Sequence, residues 1–180
     1  MNIPKKFYTW EDVETAANSI AMQMYADNWR PDYIVGLTRG GLPLAVLLSH
    51  KTGIRMETLK VKLRDLADNE DGCETNCWMS EDAYGYPHAD TGGQGKKILI
   101  VDDINDTGAT FNWIKENWQS TCLPSDPKWE RVWNSNVRFA TLTDNLASEF
   151  TSKVDYTVHE VNKAEDDVWL VYPWENVGEY

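Results

Sequence analysis

Three carboxylates, Asp102, Asp103 and Asp106, stand within five residues of one another in the stretch Ile98 to Thr110, ILIVDDINDTGAT. Four aliphatic residues lead into them, and Thr107, Gly108, Ala109 and Thr110 follow. The two halves of this stretch suit different partners. Successive backbone N–H groups at the start of a helix, with the helix dipole behind them, favour a phosphate. Gly108 lets the backbone approach closely, and the threonine hydroxyls can donate as well. Carboxylates repel phosphate, so they must face something else: vicinal sugar hydroxyls, or a metal ion. A ribose 5-phosphate satisfies both halves. Aspartates that only cap a helix would not require this order of aliphatics, paired acids, two spacers and D-T-G-x-T.

The elements that must hold these groups follow from hydrophobic patterning. Thr9 followed by Asp12 resembles a capping box, which predicts an amphipathic helix over Trp10 to Tyr25. Tyr33 to Leu37 is a short apolar run that predicts a buried strand, broken by TRGG at Thr38 to Gly41. A helix is expected from Leu42 to Lys51, with Pro43 in its first turn and Gly53 just past its end. Further strands are expected at Ile54 to Val61, Lys97 to Val101, Val137 to Thr143 and Tyr156 to Val161, and a helix at about Gly108 to Trp118. Residues 62–96 are polar and glycine-rich and are expected as one long hood loop, a length that usually serves function. Residues 120–135 are expected as an irregular connection rich in proline and tryptophan. Strands alternating with helices imply an α/β fold, a mostly parallel twisted sheet flanked by helices, in one domain spanning residues 1–180. Ligands of such sheets bind beyond the carboxyl ends of the strands, where Asp102, Asp103 and Asp106 fall.

Bulk properties narrow the function. A chain of 180 residues, 42% hydrophobic and 26% charged, has the composition of an ordinary globular domain. Its net charge of −12 argues against a sequence-independent grip on nucleic acid. The three cysteines, Cys73, Cys77 and Cys122, are too few and too scattered for a disulfide framework, so a reducing cytoplasmic location is expected. No stretch has the length of a membrane span. Cys73, Cys77 and His88 could supply three zinc ligands but have no evident fourth, and they are read as scattered loop residues. His50 and His159 are read as structural.

ILIVDDINDTGAT resembles the phosphoribosyl pyrophosphate motif of the type I phosphoribosyltransferases. YTWEDVETAANSIA, YIVGLTRGGLPLAVLLSHKTGIR and VWLVYPWE resemble the bacterial xanthine-guanine branch of that family in order and spacing. The resemblance implies that Asp102 and Asp103 hold the ribose hydroxyls and meet Mg²⁺, and that Asp106 is the general base near N7 of a purine. It implies that Asp106, Thr107, Gly108, Ala109 and Thr110 surround the 5-phosphate. Thr38, Arg39, Gly40 and Gly41 resemble the pyrophosphate loop, where Arg39 is a fixed cation and the glycines let amides turn toward oxygens. Lys60, Lys62 and Arg64 begin the polar loop, and the family closes such a loop over substrate with a basic residue. Trp169 would stack on the base and the Leu170 backbone would read its edge, although a tryptophan in the core is the alternative. The family also implies a homodimer or homotetramer.

One departure stands out. The family places a lysine just after the strand matching Val137 to Thr143, where it meets the 6-oxygen of the purine. Here Thr143, Asp144 and Asn145 occupy that place, and the next lysine is Lys153. The expected reaction is therefore Mg²⁺-dependent phosphoribosyl transfer to guanine, xanthine or hypoxanthine, with adenine, orotate or uracil as other acceptors. A non-catalytic phosphoribosyl pyrophosphate sensor on the same fold is disfavoured by the acidic chain.

Overall fold

The computed structural model describes residues 3–63, 73, 77–86 and 93–175. Five strands form one parallel sheet in the order β3-β2-β4-β5-β6: β2 (Tyr33–Thr38), β3 (Met56–Lys60), β4 (Ile98–Asn105), β5 (Val137–Asn145) and β6 (His159–Val161). A second, two-stranded parallel sheet pairs β1 (Lys5–Phe7) with β7 (Trp169–Val171). Neither of these two short strands follows from patterning, because three residues are too few to show a period.

The capping box exists as expected: Thr9 Oγ1 accepts from the Asp12 N–H while the Asp12 carboxylate accepts from the Thr9 N–H, and α1 runs Trp10–Ala26. Helix α2 covers Leu42–Thr52 and stops at Gly53, whose φ of 68° closes the C-terminus. Strand neighbours send their side chains to opposite faces, which is why the runs YIV and ILIV are apolar throughout. On one face Ile34, Leu99 and Val101 pack beneath α1 and α2 with Ala17, Ile20 and Leu48. On the other, Tyr33, Val35, Ile98 and Ile100 pack with Phe111, Ile114 and Trp118 of α4 (Ala109–Thr121).

Two segments depart from expectation. Within the predicted loop, Cys77–Tyr84 forms helix α3. Met79 and Ala83 enter the second core, the buried Ser80 hydroxyl donates to the Trp118 carbonyl at 2.5 Å, and the Tyr33 hydroxyl donates to the buried Asp82 at 3.1 Å. Lys96 closes on the same carboxylate at 2.8 Å. Polar residues here face the core with partners, which a hydropathy pattern cannot reveal. The expected connection at 120–135 contains helix α5 (Lys128–Arg131) and a π-helical turn (Val132–Asn136) that seat Trp129 and Trp133 in the same core. Among the described residues no helix is long and apolar enough to cross a membrane.

Candidate active site

Strand β4 does not end at Val101. It continues to Asn105, with Asp102 opposite Thr141 and Ile104 opposite Thr143 of β5. The two adjacent acids therefore sit on a strand rather than in a turn, and their backbone is fixed by the sheet. Their side chains fold back onto it: Asp102 Oδ1 accepts from the Asp103 N–H at 3.0 Å, and Asp103 Oδ1 accepts from the Ile104 N–H at 2.8 Å. Burial pushes Asp102 well above the usual carboxylate range, and the charge of Asp103 beside it adds to the rise. Burial likewise raises Asp103, to about 6, against the lowering effect of the Ile104 amide, with the Glu175 carboxylate contributing to the rise.

The TRGG loop closes on this pair. A Cβ on Gly40 would lie 2.1 Å from Asp103 Oδ2, and one on Gly41 would lie 2.3 Å from the Val101 carbonyl oxygen. Only glycine allows both approaches. The Thr38–Arg39 peptide is cis, Arg39 is exposed, and Gly41 stands at the N-terminus of α2.

After β4 the chain turns through Asp106, Thr107 and Gly108 into α4. Gly108 has φ of 86°, and a Cβ there would lie 2.4 Å from the Phe150 amide nitrogen. The turn is held by the Glu149 N–H donating to the Thr107 carbonyl at 3.0 Å and by Thr107 Oγ1 accepting from the Ala109 N–H at 3.3 Å. Asp102 to Phe111 line one cleft of about 460 Å³ with Val61, Lys62 and Leu63, a volume within the range of small-molecule sites. The structure thus brings Lys62 to the acids and to the Thr107–Thr110 turn. Lys60 ends β3 opposite Thr38. Arg64 and His88 lie outside the described residues. Cys73 is half-buried against the Lys62 carbonyl, 3.7 Å from its Sγ, and Cys77 is exposed.

Strand β7 and the residues after it pack beside the end of β4. Trp169 is 55% exposed, whereas Leu170 is buried, so Trp169 offers an open ring and is not a core tryptophan. The Tyr172 hydroxyl donates to the Asp103 carbonyl at 3.3 Å and shares a hydrogen bond of 3.0 Å with the Thr143 hydroxyl. A ladder of rings steadies this arm: His159 against Tyr8, Tyr8 stacked on Tyr172, Tyr172 stacked on Trp174, and Trp174 against Trp10.

Sequence reasoning missed Lys163. Its ammonium lies 3.0 Å from Asp106 Oδ1. It belongs to the polar linker NKAEDD between β6 and β7, where nothing in the sequence distinguishes it from a solvent lysine. Lys153, the nearer lysine in sequence, pairs with Asp155 at 3.7 Å and is 82% exposed.

Two adjacent carboxylates are a donor set that would suit Mg²⁺. Among the described residues no group of three or more His, Cys, Asp and Glu is arranged to hold a metal ion. The chain offers instead two adjacent, half-buried carboxylates, both raised by burial. Mg²⁺ characteristically takes one or two carboxylates and completes its octahedron with water and substrate phosphate oxygens.

A parallel sheet with paired acids at a strand end, a glycine turn into the next helix and a glycine loop beside them defines an α/β protein with a ligand cleft at the carboxyl end of its sheet. The chain belongs to the phosphoribosyl transferase domain family, which matches it over residues 5–173, and it is a phosphoribosyltransferase. It is 26% identical over 178 residues to the xanthine-guanine phosphoribosyltransferase of Cereibacter sphaeroides, covering 96% of this chain and 87% of that one. A purine phosphoribosyltransferase from Pyrococcus horikoshii superposes with a TM-score of 0.64 at 25% identity, over 99% of both chains. The Helicobacter pylori xanthine-guanine-hypoxanthine phosphoribosyltransferase shares the fold at a TM-score of 0.60 and 16% identity, over 96% of this chain and 93% of that one.

Proposed function

We propose that this enzyme transfers the phosphoribosyl group of phosphoribosyl pyrophosphate to a 6-oxopurine (guanine, xanthine or hypoxanthine), releasing pyrophosphate and a nucleoside monophosphate in purine salvage. The observation that carries the proposal is the single cleft in which Asp102 and Asp103, the Thr107–Thr110 turn and Lys62 converge. The names of the similar proteins point to the same acceptor class.

The amides of the Thr107–Thr110 turn and its hydroxyls hold the 5-phosphate. Asp102 and Asp103 accept from the ribose hydroxyls and would hold Mg²⁺. When bound, Mg²⁺ supplies countercharge to the pyrophosphate oxygens. The amides around Gly40 and Gly41, the Arg39 guanidinium and Lys62 add to that countercharge. The C1–oxygen bond breaks with its electron pair leaving on pyrophosphate, and the sugar becomes oxocarbenium-like. The nearby carboxylates stabilise the positive charge that develops on the ring. The base nitrogen N9 forms the new bond to C1, and the proton on N7 passes to Asp106. Trp169 presents its exposed ring to the base.

Pyrophosphate release tests this reading. The protein is mixed with phosphoribosyl pyrophosphate, Mg²⁺ and, separately, guanine, xanthine, hypoxanthine, adenine, orotate and uracil. Release with a 6-oxopurine is the expected result. Release only with adenine or a pyrimidine would overturn the acceptor. Tight phosphoribosyl pyrophosphate binding with no release from any base would overturn the activity.

A further inference from the structure

Just past β4 an acceptor, Asp106, is held side by side with a donor, Lys163, from the linker between β6 and β7. Asp106 and Lys163 pair at 3.0 Å with side-chain exposures of only 25% and 22%. One buried amide holds the backbone of both partners: Asn145 Nδ2 donates to the Asp106 carbonyl at 2.8 Å, and Asn145 Oδ1 accepts from the Lys163 N–H at 3.1 Å. The same oxygen accepts from the Ala147 N–H at 3.2 Å. A solvent-exposed ion pair contributes little and needs no such scaffold. A pair that must present a fixed pattern of hydrogen bonds does need one.

We infer that Lys163 sets the choice of base. The inference rests on the transferase reading above. The edge of a free 6-oxopurine protonated at N7 presents a donor, N7–H, next to an acceptor, O6. The Asp106 carboxylate and the Lys163 ammonium present the complementary acceptor and donor. A 6-aminopurine presents an amino donor at the same place, which meets the ammonium unpaired. Discrimination built on a hydrogen bond of this kind is large because the wrong ligand leaves a desolvated donor without a partner. The flexible four-carbon stem of lysine lets Lys163 keep contact with Asp106 while it reaches the incoming oxygen. In this arrangement Asn145, at the end of β5 where the family resemblance expects a lysine, makes no direct contact with the base. It holds in place the lysine that does.

Steady-state kinetics of wild type, Lys163→Met and Lys163→Arg with hypoxanthine, adenine and phosphoribosyl pyrophosphate test the inference. Lys163→Met is expected to raise KM for hypoxanthine by about 10- to 100-fold, the range for losing a hydrogen bond to a charged group. KM for phosphoribosyl pyrophosphate is expected to stay within about twofold, adenine to be used no less well than by wild type, and Lys163→Arg to recover part of the hypoxanthine affinity. An unchanged KM for hypoxanthine in an active Lys163→Met variant overturns the inference and leaves the transferase reading standing. So does a rise in KM for phosphoribosyl pyrophosphate as large as that for hypoxanthine. A wild-type protein that releases no pyrophosphate with either purine overturns both.

Discussion

At the scale of single residues, the three carboxylates of the site sit in two electrostatic settings. Asp106 has a lysine beside it, whereas Asp102 and Asp103 have each other and Glu175. Asp106→Asn keeps the shape and loses the proton acceptor. Turnover is expected to fall by at least about 100-fold with phosphoribosyl pyrophosphate affinity retained, as isothermal titration beside single-turnover kinetics would show; normal turnover would remove its role as base. The paired acids should be visible in the pH dependence of the ligand-free protein. Asp103 rises from 3.8 to about 6 in the fold, and Asp102 rises as well. Between those values the native chain holds protons that the unfolded chain has released. The stability this lends is complete below the ordinary carboxylate value and is lost as pH rises through about 6. Melting temperature should accordingly drop from pH 5 to pH 7, and the drop should shrink in the double variant Asp102→Asn, Asp103→Asn. Equal drops in both proteins would show that these two groups are not its source. That Asp102, Asp103 and the Thr107–Thr110 turn share one cleft could be read in the sequence because they lie within one contiguous stretch. Lys163 could not, because its meaning comes from a partner 57 positions away that only the sheet brings near.

At the scale of elements, the long β4 is what makes the site rigid. Sequence patterning ends this strand at Val101, since two charged residues break an apolar run. The backbone pairing with β5 carries it on to Asn105. Sheet hydrogen bonds ignore side-chain polarity, so a strand can run past its own hydrophobic segment when a neighbour extends equally far. The same blindness hid α3, whose buried Ser80 and Asp82 read as loop residues until their partners Trp118, Tyr33 and Lys96 are known. The element that depends most on a missing side chain is the loop before α2. Gly40→Ala would push a methyl group into the Asp103 carboxylate. That carboxylate is the free end of a side chain, so it should swing aside while the fold persists. Circular dichroism should match wild type, and Mg²⁺-dependent affinity for phosphoribosyl pyrophosphate should fall by about tenfold or more. Wild-type affinity would mean that Asp103 need not face the loop.

At the scale of the whole molecule, the main sheet positions the acids and the Thr107–Thr110 turn, and the small β1–β7 sheet positions the aromatic arm. The Trp169 N–H donates to the Pro4 carbonyl at 2.8 Å, and the Tyr8 N–H donates to the Val171 carbonyl at 2.9 Å. A chain beginning at Tyr8 would lose β1 and leave β7 without its pairing. KM for the purine should rise several-fold and KM for phosphoribosyl pyrophosphate should stay near wild type, and equal rises in both would point to general destabilisation. The fold class was legible because strands and helices alternate along the chain. The pairing of an early segment with a late one was not, because no local pattern records it. That pairing also sets an order in time. During synthesis β2, β3, β4 and α4 leave the ribosome well before β7, while β1 waits for a partner that has yet to be made. A nascent chain can therefore complete the turn proposed to hold the 5-phosphate first, and the arm proposed to meet the purine gains its strand pairing only when β7 emerges.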